Sequence, residues 1–134
     1  MNIANVKEWL KLADNDFDSA ILLSEAQRKH HEIICYHCSQ SVEKYLKGYL
    51  TYNNVIPQKT HDLLYLNNLC ISIENSFSNI MLACGFLNRF SNDIRYPHPY
   101  EINDIESNLA LEAVKKIRNF KPINDLTAIC SSLN

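Results

Sequence analysis

Residues 32–52 read EIICYHCSQSVEKYLKGYLTY. Ile34, Cys38, Val42, Tyr45, Leu46, Tyr49 and Leu50 recur there at steps of three and four, the period of an α-helix. The apolar set wraps well around the cylinder instead of forming one narrow stripe. A helix that is apolar on several sides must be covered on several sides, so this one is expected at the centre of a bundle. Gly48 falls inside it. An interior glycine costs about 1 kcal/mol relative to alanine, and a close crossing by another helix is its expected reason.

Upstream, Val6, Trp9, Leu10, Ala13, Phe17, Ala20 and Ile21 predict a first helix over 6–27, with Lys7, Lys11, Asp14 and Asp18 on its solvated side. Downstream, Asn53, Asn54 and Pro57 break the second helix. Thr60 is the expected N-cap of a short third helix that buries Leu63, Leu64, Leu66, Leu69 and Cys70. A fourth helix should start near Ser76 or Ser78 and end near Phe90. Pro97 and Pro99 make 91–100 irregular. A fifth is expected over 103–120, with Ile105, Leu109, Ala113, Val114 and Ile117 inward and Pro122 as its stop. A short terminal helix over 123–133 completes the reading. No repeat or linker interrupts the pattern, so the expectation is one all-α domain over 1–134. Its architecture should be an up-and-down bundle of about five helices.

Composition agrees. Two glycines and four prolines in 134 residues are too few for the many turns of an all-β fold. A net charge of −2 gives no whole-molecule attraction to nucleic acid, so any such binding must come from a local patch. No apolar run approaches the roughly 20 residues that span a bilayer. Lys7, Glu8 and Lys11 leave the first residues without an apolar signal core. An odd count of five cysteines then reads as reduced thiols, and a cytoplasmic location is expected.

Two constellations could carry chemistry. His37, Gln40, Lys44 and Lys47 lie at helical spacing on one stripe of the second helix, with Glu43 beside them. Two lysines, an amide and an imidazole could hold a phosphate and a base edge. The plainer alternative is a solvated helix face. The second constellation runs from Asn88 to Tyr100 and includes Arg89, Arg95, Tyr96, His98 and two stiffening prolines. Arginine can fork onto phosphate, Tyr96 or Tyr100 could stack on a base, and His98 could act as acid or base. Here the plainer alternative is a rigid turn whose tyrosines pack on the bundle. Cys35 and Cys38 are expected in the core, because no second pair completes a zinc site. Asp14, Asp16 and Asp18 lack the glycine and distal glutamate of a calcium loop. Neither metal nor cofactor is expected. Thr60-His61-Asp62 reads as a capped helix start, with His61 able to face the groove near Arg95.

Four blocks resemble the HEPN family, whose name denotes a nucleotide-binding domain of higher eukaryotes and prokaryotes. They are Trp9-Leu10 through Ala13, Asp16-Phe17 and Ala20; Tyr36 through Lys47, with Gln40 followed by Glu43-Lys44 and Lys47; Pro57 with Thr60-His61-Asp62-Leu63; and Arg95-Tyr96-Pro97. They cover nearly the whole chain in the family's order, and the last is similar to an Arg-Tyr-Pro subgroup. The resemblance implies a bundle of about five helices, often a homodimer. It also implies a nucleotide- or RNA-binding role beside a minimal nucleotidyltransferase, in a toxin–antitoxin-like pair. On that reading His37, Gln40, Lys44, Lys47, Arg89 and Tyr96 would bind ligand. The alternatives are a metal-independent ribonuclease using Arg95 and His98, or a dimerisation partner without a ligand. Catalytic relatives place four to six residues between arginine and histidine, whereas two separate Arg95 from His98 and eight separate Arg89 from it.

Overall fold

The computed structural model describes residues 2–91, 94, 96–99 and 101–133. Among them are six α-helices: α1 (Ile3–Ser24), α2 (His31–Tyr52), α3 (Leu63–Ile73), α4 (Met81–Asn88), α5 (Asp104–Asn119) and α6 (Lys121–Ser132), with a 3-10 helix over Asn75–Ile80 between α3 and α4. No helix among the described residues is long and apolar enough to cross a membrane. The all-α bundle expected from the sequence is present. It contains one helix more than about five, because the short terminal helix forms.

The central helix is α2, which packs against α1, α3, α4, α5 and α6. Its thirteen buried residues include every position of the expected apolar set except Tyr49, which is half-buried. Against it, α1 buries Val6, Leu10, Ala13, Phe17 and Ala20. The crossing is close at two small residues. A Cβ added to Gly48 would sit 3.3 Å from both Leu10 Cδ2 and Trp9 Cβ. Further along the same face, Ser41 Oγ donates to the Ala13 carbonyl at 2.8 Å. All five cysteines are buried and free. Burial first, then the charges of Glu106 and Glu32, pushes the Cys35 thiol up to about 12. Cys70 and Cys84 are also pushed to about 12, burial being the main cause. These thiols therefore stay protonated and act as small apolar core groups.

Five expectations need correction. The cap of α3 is Asp62, whose carboxylate accepts from Leu64 N and Tyr65 N, while Thr60 Oγ1 accepts from Asp62 N. Leu64 points outward, and Leu63, Leu66, Asn67 and Cys70 form the buried side. The fourth helix is divided. Residues 75–80 wind as a 3-10 helix in which Met81 N–H donates to the Ser78 carbonyl, and the Phe77 carbonyl, one α-helical step earlier, accepts from the buried Asn67 Nδ2 at 3.1 Å. On α5 the inward stripe is Ser107, Ala110, Leu111, Val114 and Ile117. Ile105 and Leu109 lie outside it, 68% and 52% exposed. Ser107 holds the inward place by bonding His31 Nδ1 at 3.0 Å. Finally, α5 ends at an extended Phe120, and Pro122 opens α6 from within its first turn.

The crossing makes a specific prediction. Gly48→Val should destabilise the fold by about 2 kcal/mol through overpacking, lowering the urea midpoint without changing the slope. Gly48→Ala should be close to neutral, because the propensity gain offsets the crowding. Equal midpoints for wild type and Gly48→Val would refute the close crossing.

Candidate functional site

The α1–α2 contact brings Asp16 over the polar stripe of α2. Asp16 Oδ1 meets His37 Nδ1 at 2.9 Å, and Asp16 Oδ2 accepts from Lys44 Nζ. Along α2 the arrangement repeats with different partners. Glu43 Oε1 meets His61 Nδ1 at 2.8 Å, and Glu43 Oε2 accepts from Lys47 Nζ at 3.0 Å. Each carboxylate thus bridges one histidine and one lysine. An ionised carboxylate only accepts, so Nδ1 carries the proton in both rings and Nε2 is left as the unprotonated nitrogen of the neutral form. His61 is exposed, whereas Glu43 and Lys47 have side chains only 4% and 8% accessible. The Lys47 ammonium also lies 5.6 Å from the centre of the Trp9 ring.

The stripe is therefore neither a solvated face nor an open cradle of positive charge. His37 and Lys44 are held by α1, and Lys47 is buried by its own helix and Trp9. Gln40 is buried as well, and its Nε2 has no hydrogen-bond partner among the described residues. Burial raises the Asp16 carboxyl, but the hydrogen bonds and charges of His37 and Lys44 outweigh it and hold the group below its ordinary value. Sequence spacing brought together residues of one helix. It missed Asp16 and His61 as their partners, because those contacts cross between elements. The signals available for them were the Asp16-Phe17 and His61-Asp62 pairs.

The second constellation starts where α4 ends. Asn88 Oδ1 accepts from Leu63 N at 2.9 Å and Asn88 Nδ2 donates to Asp62, tying this corner to the start of α3. Ser39 Oγ donates to the Phe90 carbonyl at 3.2 Å. Phe90, Ile94 and Ile102 are buried and anchor the segment to the bundle. Arg89 stays half-exposed. Its guanidinium lies 5.7 Å from the Phe86 ring centre and 5.4 Å from that of Phe90, with Glu106 Oε2 at 3.7 Å. Arg89, Phe90, Ile94 and Ile102 line a cavity of about 150 Å³. Tyr96 is 59% exposed, and His98 is partly buried. Arg95, the first residue of the expected catalytic pair, lies outside the described residues, as do Tyr100, Asn92 and Asp93.

A third network joins Tyr45, Phe17 and Asp14, read from the sequence as core and surface positions, to Arg118, which the sequence did not single out. Tyr45 Oη donates to Asp14, and Arg118 Nε donates to Tyr45 Oη at 2.8 Å. The Arg118 guanidinium lies 4.2 Å from the Phe17 ring centre. This network fastens α5 to α1 and α2. Burial, then the neighbouring Asp14, raises the Tyr45 phenol and keeps it neutral.

Comparison with known proteins gives a consistent result. The family model described as HEPN domain matches residues 6–124. The crystal structure of TT1696 from Thermus thermophilus superposes with a TM-score of 0.75 at 22% identity, covering 94% of this chain and 99% of that one. The crystal structure of ST0689, described as an archaeal HEPN homologue, superposes with a TM-score of 0.67 at 20% identity, covering 93% and 97% of the two chains. No curated protein sequence matches.

Two outcomes follow from the bridged carboxylates. Glu43→Leu should cost about 3–5 kcal/mol by leaving Lys47 buried and unpaired, and Glu43→Leu with Lys47→Met should recover most of that loss. Chemical denaturation of the single and double variants checks this; no recovery would refute the buried pair. Asp16 has a depressed folded pKa, so its stabilisation is complete above the ordinary carboxylate range and is lost as pH falls through the folded value. Asp16→Asn should thus destabilise the protein at pH 7 by about 2 kcal/mol, and the difference should shrink as the pH is lowered below about 4. A difference independent of pH would show that the carboxylate charge does not matter.

Proposed function

The chain belongs to the HEPN family, and from that premise we propose that it is a nucleotide- or RNA-binding helical module. In this reading it works beside a minimal nucleotidyltransferase in a toxin–antitoxin-like pair. The partnership rests on family membership alone. Ligand binding is centred on Arg89 and Tyr96, with Arg95 and His98 in the same segment. His37 and Lys44 are engaged by Asp16 of α1, while Gln40 and Lys47 lie too deep to meet a ligand without local opening.

The observation that supports this reading best is Arg89. Its guanidinium is half in solvent, rests over two aromatic rings, and has Glu106 at 3.7 Å, beyond hydrogen-bond distance. A phosphate could take the place of Glu106 with better geometry, as a two-pronged contact. The exposed Tyr96 offers a face on which a base could stack. With a net charge of −2, such a patch must supply its own attraction, so binding should be weak and sensitive to salt.

We further propose that two copies of this chain associate through α4 and α5. Leu82 is 88% exposed, and Met81, Ile105 and Leu109 are exposed on the same pair of packed helices. Exposed apolar side chains on a small domain can serve as a contact surface, and these four are the ones that would form it.

Single-stranded RNA carrying a fluorophore provides the test. Arg89→Ala should weaken binding about tenfold, and Glu43→Leu with Lys47→Met, which removes the buried pair together, should leave it within about twofold. Equal binding by wild type and Arg89→Ala would remove the proposed centre. Cleavage of the RNA in chelator, abolished in His98→Ala, would favour the ribonuclease instead. For the association, light scattering should report a dimer for wild type and a monomer for Leu82→Glu with Leu109→Glu; a monomeric wild type would refute it.

A further inference from the structure

A cleft lies away from both constellations, where the end of α2, the α3–3-10 junction and the start of α6 meet. Its volume is about 600 Å³, the size of a small-molecule site. Tyr49, Tyr52 and Phe120 supply aromatic walls, and Glu74, Lys121 and Asp125 supply the charges. The aromatic wall is fixed from behind. Phe77 is fully buried, and its ring centre lies 4.6 Å from that of Tyr49 and 5.0 Å from that of Phe120.

The charges decide what the cleft can accept. Lys121 Nζ donates to Asp125 Oδ2 at 2.8 Å, so these two largely cancel. Glu74 remains. One of its oxygens accepts from Ser76 N at 3.2 Å, and among the described residues no lysine, arginine or histidine nitrogen comes within 4 Å of its carboxylate. Glu74 also acts on the aromatic wall: burial first, then the Glu74 charge, raises the Tyr49 phenol above its ordinary value. A phosphate placed here would meet two carboxylates and a lysine already engaged. A cation would meet a carboxylate with no ion-pair partner among the described residues and three aromatic side chains, which attract cations where their faces are reached.

We propose that this cleft binds a small organic cation, an alkyl- or arylammonium, with its charge toward Glu74 and its apolar body against Tyr52 and Phe120. The site shares no residue with the nucleotide-binding centre, so either reading can fail without the other.

The test is a titration of the 134-residue chain followed by amide shifts in ¹H–¹⁵N spectra, with benzylammonium, benzyl alcohol and benzoate as probes. Benzylammonium should shift amides in 49–52, 74–79 and 123–129 saturably. Benzyl alcohol, of the same shape without the charge, should bind about tenfold more weakly, and benzoate should not bind. Glu74→Gln keeps an acceptor for Ser76 N and should abolish the preference for the ammonium over the alcohol. Tyr52→Leu keeps an apolar side chain without the ring and should weaken the ammonium several-fold. Equal affinity for the three probes, shifts confined to other parts of the chain, or an unchanged preference in Glu74→Gln would each overturn the proposal. The comparison of probes on wild type stands even if a variant fails to fold.

Discussion

The close crossing of α1 and α2 sets the geometry on which the rest depends. Gly48 and Ser41 on α2 let the α1 backbone approach, with Trp9 and Leu10 over the first and the Ala13 carbonyl bonded to the second. Interiors at crystal-like density transmit such a placement to whatever lies along the same helix. Asp16 is about one turn beyond Ala13, and it therefore arrives opposite His37 and Lys44. The distance between helices, fixed by a glycine and small side chains, becomes the distance between charges.

The same stripe shows how a bundle can carry many charged groups on its central helix. A buried lysine or glutamate alone would be costly, and each is tolerated because its partner is buried with it. Glu43 reaches His61 as well as Lys47, so it also positions the chain just before α3. Asn88 performs a related task from the other side, satisfying the otherwise unbonded Leu63 N in the first turn of α3. The loop before α3 and the segment after α4 are thus tied to one corner. Arg89 begins there, and its planar group lies over two rings with its carboxylate neighbour held at a distance.

The surface divides by chemistry. The α4–α5 pair carries exposed aliphatic side chains, the Arg89 corner carries a half-exposed cation with aromatics, and the cleft beside α6 carries aromatics with an acidic group. Each offers a different environment to a ligand. A whole-molecule net charge of −2 conceals that contrast, because it sums over groups whose local partners differ from one site to the next.

Local periodicity carried most of the fold. A helix needs only its own 3.6-residue repeat to be recognised, so α1, α2 and the terminal helix were legible, as was the buried role of the cysteines. Gly48 even announced the crossing, since an interior glycine is costly without one. Errors arose where a side chain from elsewhere competed with the local pattern. The fourth helix is divided where Asn67 of α3 bonds the Phe77 carbonyl, Asp62 displaced Thr60 as the cap, and Ser107 held the inward place on α5 that spacing had assigned to Ile105 and Leu109. The stripe of His37, Gln40, Lys44 and Lys47 was visible as a stripe, because it belongs to one helix. Its burial, its two bridging carboxylates and the cleft of Tyr49, Tyr52 and Phe120 join residues distant in the chain, and only the packing of helices against one another brings such groups within bonding distance.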